Sequence, residues 1–306
     1  MAKRLLDCYA SELANLRGRE LVDSIRMSEG RVVAAEVIAS APPLLDHLSN
    51  AELATAMSAD LILLNFYDVA APQVTGFPAQ ADTGKFGERS AGIGATLAGV
   101  QRLTGRLVGL NLEPIENPDA MTSGRMATAE NARAALEQGA RFIVVTGNPG
   151  TGVTTQGITR SVAAMRAAVG DQVVVLAGKM HGAGAREHVI TTDDITAFGD
   201  AGADGIVLPA PGTVPGMTLD AAGAFVTAAH ERGLIVMNTI GTSQKGASVT
   251  VIEQLALWSK MTGADIHHLG DAGYIGIAVP ENITAFSIAL RGRRHTWKRM
   301  AASILR

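Results

Sequence analysis

One pattern constrains this chain more than any other. Short apolar runs alternate with helix-like stretches, eight times over. The runs are RVVAAEVIA (31–39), ADLILLNF (59–66), RLVGLNL (106–112), RFIVVTG (141–147), QVVVLAG (172–178), ADGIVLP (203–209), LIVMN (234–238) and ADIHHLG (264–270). Each is short, nearly unbroken and rich in β-branched residues. Such runs predict strands buried on both faces, as in a parallel sheet. Between them, stretches such as ATAENARAALEQGA, TRSVAAMRAAVG and LDAAGAFVTAAHERG carry helical spacing, and most end in glycine before the next run. Helix starts are marked at Thr128, at Thr192-Asp193-Asp194 and at Pro280. From Arg141 onward the runs recur at roughly thirty-residue spacing, the length of one βα unit.

Eight such units in 306 residues predict an α/β fold, a single closed (βα)8 TIM barrel over residues 1–306. Residues 1–30 read as a helical extension of one or two helices that could plug the barrel bottom, and 31–306 as the eight units. An open doubly wound sheet is the rival, and it needs a reversal of strand order. Hydrophobic residues make up 47% of the chain, enough for such a core. The net charge of -3 gives no pull toward nucleic acid or anionic membranes. A single cysteine, Cys8, rules out an intrachain disulfide and fits a reducing compartment. The first residues lack the apolar core of a signal peptide, and no uncharged apolar run is long enough to span a membrane. The expectation is a soluble cytoplasmic protein, with a homo-oligomer left open.

The loop after the fourth run, GNPGTGVT (147–154), comes within one residue of a nucleotide-binding P-loop. Val153 stands where the phosphate-reaching lysine belongs, and valine cannot take that role. In a barrel this loop lies at the catalytic face instead, where its backbone N–H groups can meet a ligand, through Thr146 and Asn148 among others.

Barrel chemistry comes from the C-terminal ends of strands. Those ends are polar here. Glu36 interrupts the first run, and a buried carboxylate must be paired or protonated. Asn65, Tyr67 and Asp68 follow the second run. Asn111, Glu113 and Glu116 follow the third, and alternation points Asn111 and Glu113 the same way. A carboxylate at such a place suits a general base or a metal ligand. Lys179 and His181 follow the fifth run; the lysine can form an imine, act as a base or pair with an enolate, and the histidine can shuttle a proton. His267 and His268 are adjacent, so one should face the barrel interior and the other the helices.

Two late loops suit an anion. NTIGTSQKGAS (238–248) offers Asn238, Thr239, Gly241, Thr242, Ser243, Lys245 and Gly246, and LGDAGYIGIAVPEN (269–282) offers Gly270, Gly273 and Gly276 before a helix. The loops after strands seven and eight hold phosphate in many barrels. Asp271 argues against an anion at its own position; with Glu36 and Glu113 it makes an oxygen-rich set for Mg²⁺ or Mn²⁺ conceivable. The basic stretch RGRRHTWKRM (291–300) reads as a solvated helix face, with a phosphate-rich partner or an oligomer contact as the alternative.

The segments LLDCYASEL, SIRMSEGRVVAAEVI, LSNAELATAMSADLILLNFYDV, VGLNLEP and GDAGYIGIAVPENI resemble an uncharacterised bacterial TIM-barrel family. Its members carry labels such as phosphonomutase-like or haloacid dehalogenase-like. The second label requires an aspartate nucleophile in D-x-D-x-[TV], which this sequence lacks. The first implies Mg²⁺ and a small α-oxyacid, although the cysteine-bearing loop of those enzymes is missing here.

These residues together predict an isomerase, epimerase or aldolase acting on a small phosphorylated or carboxylated metabolite. Its chemistry would be proton abstraction next to a carbonyl. Glu36 or Glu113 would be the base, Lys179 would stabilise the enolate or form an imine, and His181 or His268 would carry the second proton. The substrate would rest on Asn65, Asn111, Thr146, Asn148, Asn238, Thr239, Gly241, Ser243, Gly270 and Gly273. No cofactor is required on this reading. The alternatives are a Mg²⁺-dependent phosphonomutase-like lyase, with Glu36, Glu113 and Asp271 near the metal, and a barrel that binds the metabolite without turnover.

Overall fold

A computed structural model describes residues 2–78, 90–115, 119, 121–148, 150, 152–182, 188–241, 244–271, 273 and 275–306. Eight parallel strands close into a barrel in sequence order. They are β1 (Val32–Ile38), β2 (Leu61–Asn65), β3 (Leu107–Leu112), β4 (Phe142–Val145), β5 (Val174–Gly178), β6 (Gly205–Pro209), β7 (Ile235–Ile240) and β8 (Ile266–Leu269). β8 returns to β1, with Val33 opposite His267 and Ala34 opposite His268. Each strand lies within one of the eight apolar runs or overlaps most of it, and the open-sheet rival is set aside.

The helices are α1 (Ala10–Leu13), α2 (Gly18–Arg26), α3 (Asn50–Ala56), α4 (Leu97–Thr104), α5 (Ala129–Glu137), α6 (Thr155–Val169), α7 (Thr192–Asp200), α8 (Leu219–Glu231), α9 (Val249–Met261) and α10 (Pro280–Ala301). Local chemistry sets their starts. Ser49 and Glu52 form a capping box on α3. The Thr128 hydroxyl accepts from Asn131 N on α5. On α7 the box is closed by Thr191 and Asp194, so the cap falls one residue before the expected Thr192.

Strand alternation divides the core in two. Outward residues such as Val33, Ile62, Val108, Ile143 and Val236 pack under the helices. Inward residues nearest the strand starts, among them Val32, Leu61, Leu107, Phe142 and Ile266, pack on Leu5, Leu13, Leu21 and Ile25 from the N-terminal segment. That segment therefore seals the barrel bottom with apolar side chains. Gly109 has an inward position because the Phe142 ring fills the space: a Cβ there would lie 2.5 Å from a ring carbon and 2.3 Å from the Phe142 carbonyl oxygen.

The basic C-terminal stretch departs from the expected solvated face. Arg291 and Arg299 are buried, and Gly292 breaks α10 between them with φ 74° and ψ 165°. Both arginines converge on Asp60, at the start of β2. Arg291 Nη1 donates to Asp60 Oδ2 at 2.5 Å, and Arg299 Nε lies 2.7 Å from Oδ1. Val33 N also donates to Oδ2, at 2.9 Å. Arg106 joins from beside β3, donating to the Arg299 carbonyl at 2.8 Å and to the Ala59 carbonyl at 3.0 Å. Burial, and then the Arg299 charge, push Arg106 down to about 10. Burial alone would raise the Asp60 carboxyl, but the Arg291 and Arg299 charges overcome it and hold it below its ordinary range. The exposed members of the stretch, Arg293, Arg294 and Lys298, do match the expectation.

Candidate functional site

At the first two inward positions the barrel is apolar except for His268 on β8; at the third it turns polar. Glu36 (β1), Asn65 (β2), Asn111 (β3), Thr146 (after β4) and Thr239 (β7) occupy that level by alternation. Above them opens a cavity of about 200 Å³, walled also by Phe66, Glu113, Gly147, Asn148, Met180, His181, Gly241, Lys245 and Asp271. It sits at the C-terminal strand ends, where barrel enzymes place their chemistry. Drug-sized sites run to about 300–1,000 Å³, so this one suits a small metabolite.

Glu36 is the centre of the cluster, with only 5% of its surface exposed. Its Oε2 lies 3.0 Å from His268 Nε2, and its Oε1 accepts from Asn65 Nδ2 at 2.9 Å. Burial works to raise its pKa. The His268 contact, the Lys245 charge and the Asn65 amide outweigh burial and keep it below the ordinary carboxylate value. The carboxylate is thus ionised at neutral pH although it is buried. The His268 contact is close but off the line of a good hydrogen bond, and neither ring nitrogen has an aligned partner among the described residues. The buried Thr146 hydroxyl likewise has no partner among the described residues. Buried polar groups without partners are uncommon and call for an explanation, and two of them flank this cavity floor.

The adjacent histidines divide as alternation requires. His268 faces in. His267 faces out, between Ser259 Oγ at 2.6 Å and the Gly30 carbonyl at 3.0 Å. Burial pushes it down to about 4, so it stays neutral and structural.

Glu113 reaches the cavity from the other side, paired with Arg125 at 2.8 Å. Burial raises its pKa against the pull of that arginine. Arg125 also stacks over Phe66, 4.1 Å from the ring centre. Phe66 holds a left-handed backbone, φ 56°, directly after β2, and is 44% exposed. A bulky side chain in that region is strained, and such strain gathers at functional sites. Asn111, with its amide turned to donate to the Val144 and Thr146 carbonyls at 2.9 and 3.2 Å, is fixed in the wall.

Several expected residues lie elsewhere. Lys179 is buried and does not line the cavity: it comes one residue past inward-facing Gly178, on the outward parity. Asn238 is also on the outward parity, and its amide donates to Thr262 Oγ1 at 2.9 Å. Thr239 spends its hydroxyl on the Leu208 carbonyl at 3.0 Å. Gly270 and Gly273 are not in the cavity wall, and Ser243 and Glu116 fall outside the described residues. Val153 is a core residue packed against Gly147, which accounts for its place in the P-loop-like sequence.

Among the described residues the lysine in the cavity wall is Lys245, in the short turn Gln244–Gly246, with 7% exposure and Nζ 3.2 Å from Asp271 Oδ2. His181 faces it across the mouth, and burial first, then the Lys245 charge, lower its pKa. Glu36, Glu113 and Asp271 all reach the cavity. Each carboxylate is engaged by a basic partner, and among the described residues no group of three His, Cys, Asp or Glu side chains is placed to hold a metal ion. Sequence reading had placed Lys245 only in an anion-suited loop. It missed Phe66 and Arg125, for which no local pattern gives a signal.

Fold and site together define a (βα)8 barrel with a buried polar and charged cluster at the C-terminal ends of its strands, compatible with a metabolic enzyme. The chain belongs to the family described as domain of unknown function DUF7916, whose profile matches residues 6–306. Among curated proteins no match was found. No helix among the described residues is long and apolar enough to cross a membrane.

Proposed function

We propose that this protein is an enzyme that removes a proton from the carbon next to a carbonyl of a small anionic metabolite, as an isomerase, epimerase or aldolase does. The observation that carries the reading is Glu36: a carboxylate almost wholly buried, held ionised, and opening onto a cavity beside His268. A buried, ionised base beside a cavity is poised for proton abstraction, and a neighbouring imidazole can relay the proton. Lys245 takes the part first given to Lys179, countering negative charge on the enolate oxygen. Glu113, with its raised pKa, and His181 are the second proton carriers. The substrate's anionic group rests near Lys245 and the backbone at Gly241, and Asn65, Asn111, Thr146 and Asn148 complete its surroundings.

The phosphonomutase-like alternative calls for carboxylates grouped around Mg²⁺. The carboxylates here are paired with His268, Arg125 and Lys245 instead, which favours the reading without a metal. The test is solvent-deuterium exchange followed by NMR, at the carbon next to the carbonyl, for pyruvate, glyceraldehyde 3-phosphate and dihydroxyacetone phosphate. Exchange into at least one, abolished by Glu36→Gln, is expected. Binding of these compounds without any exchange would leave a metabolite-binding barrel as the better reading.

A further inference from the structure

We propose that Lys245 is a covalent residue, condensing with the substrate carbonyl to form an imine at the cavity wall. The inference rests on the proton-abstraction reading above and names its substrate class: aldehydes and ketones small enough for this cavity, carrying one anionic group.

Three features set Lys245 apart from a lysine that merely supplies charge. It is fixed in place. Its carbonyl accepts from Asn282 Nδ2 at 3.1 Å, which ties the turn to the start of α10. Its stem lies along Gly270, where a Cβ would come within 3.1 Å of Cδ and 3.2 Å of Nζ. Imine formation needs the amine held at one point, and a glycine beside the stem lets it lie close. Second, the amine has one carboxylate within reach among the described residues, Asp271, whose other oxygen is anchored by the Gly273 N–H at 2.6 Å. That carboxylate can accept one ammonium proton and give it back. Third, Lys245 shares the cavity with the base. Its charge acts on Glu36 and on His181, and all three side chains line the same cavity.

The step balances as follows. Asp271 takes a proton from the ammonium. The freed nitrogen lone pair forms the N–C bond as the carbonyl π electrons move to oxygen, and a proton passes from nitrogen to that oxygen. Asp271 returns its proton to the hydroxyl, which leaves as water, and the remaining nitrogen lone pair makes the iminium. Glu36 then removes the neighbouring C–H proton, and its electron pair flows into the iminium as a neutral enamine. The cation thus works as an electron sink, which an ion pair alone cannot match.

The test is borohydride reduction of the full chain with pyruvate, glyceraldehyde 3-phosphate or dihydroxyacetone phosphate, read by intact mass and peptide mapping. A reduced adduct on Lys245 in the wild type is expected, with none in Lys245→Arg. That variant keeps the charge and its folding is checked by its melting temperature. Deuterium exchange in it should fall at least 100-fold. Exchange without any trapped adduct, an adduct on another lysine, or a folded Lys245→Arg that keeps its exchange rate each overturns the imine and leaves the proton-abstraction reading standing. Absence of both exchange and adduct with all three compounds overturns the two together.

Discussion

Replacing Asp60 by asparagine probes the ion cluster that ties α10 to β1 and β2. The carboxylate is fully buried and meets Arg291 at 2.5 Å and Arg299 at 2.7 Å, with Arg106 close behind. Asparagine keeps an acceptor for Val33 N but removes the only negative charge these arginines share among the described residues. Removing one partner of a buried pair costs about 3–5 kcal/mol, because the other charge is left without compensation. Two guanidinium groups in direct contact place this site toward the upper end. For a domain of this size that corresponds to a fall in melting temperature of roughly 10 °C. The assay is thermal and urea unfolding of wild type and Asp60→Asn, with Asp23→Asn as a control. Asp23 pairs with Arg19 and Arg26 at the exposed surface, where a salt bridge is worth about 0–1 kcal/mol. The sign with pH follows from the lowered carboxyl. Its contribution is complete above the unfolded value of 3.8 and is lost as pH falls through the lower folded value. Asp60→Asn should therefore lose less stability on acidification than the wild type. A melting temperature within about 2 °C of wild type would refute the reasoning, because it would mean that the arginines find equal compensation without the carboxylate.

Glu36→Gln should lower deuterium exchange by about 10²–10⁴-fold, the usual contribution of a general base, while the fold survives. A loss under tenfold would make Glu36 a positioning residue only. His267 is neutral in the folded protein, with a value of about 4 against 6.5 when unfolded. As pH falls from 6.5 to 4 the unfolded chain gains a proton that the folded chain refuses, so stability drops by about 3 kcal/mol over that window. Denaturant titrations across it should show the drop, and His267→Gln should flatten it. Gly109→Ala forces a methyl into the Phe142 ring and carbonyl and should cost about 1–3 kcal/mol or more in urea unfolding.

The barrel was legible because strands covered on both faces lose their alternation and read as unbroken apolar runs; all eight appear that way. Glu36 was legible for the complementary reason, as a charge set inside such a run. The phase of residues beyond a strand end was not. Lys179 and Lys245 both follow apolar runs, and only the observed strand limits put the first on the outward parity and the second, some residues later, in the cavity wall. For His267 and His268, sequence gave the opposition of faces but not which face each took. The Asp60 cluster left no local trace at all. Its partners stand 231 residues apart in the chain, and spacing arguments reach only a few turns. The same distance explains why RGRRHTWKRM looked like an ordinary solvated face.

That separation has a consequence for how the protein comes into being. Asp60 leaves the ribosome early, with β2, and is destined for a dry position between Val33 and the last helix. Arg291 follows 231 residues later, and Arg299 later still. Until they emerge, a nascent barrel that tried to close would have to bury a carboxylate with only Arg106 near it, which is unfavourable. The cluster thus acts as a late checkpoint: synthesis can lay down β1 to β8 in order, but the ring is locked only when α10 folds back over β1 and β2.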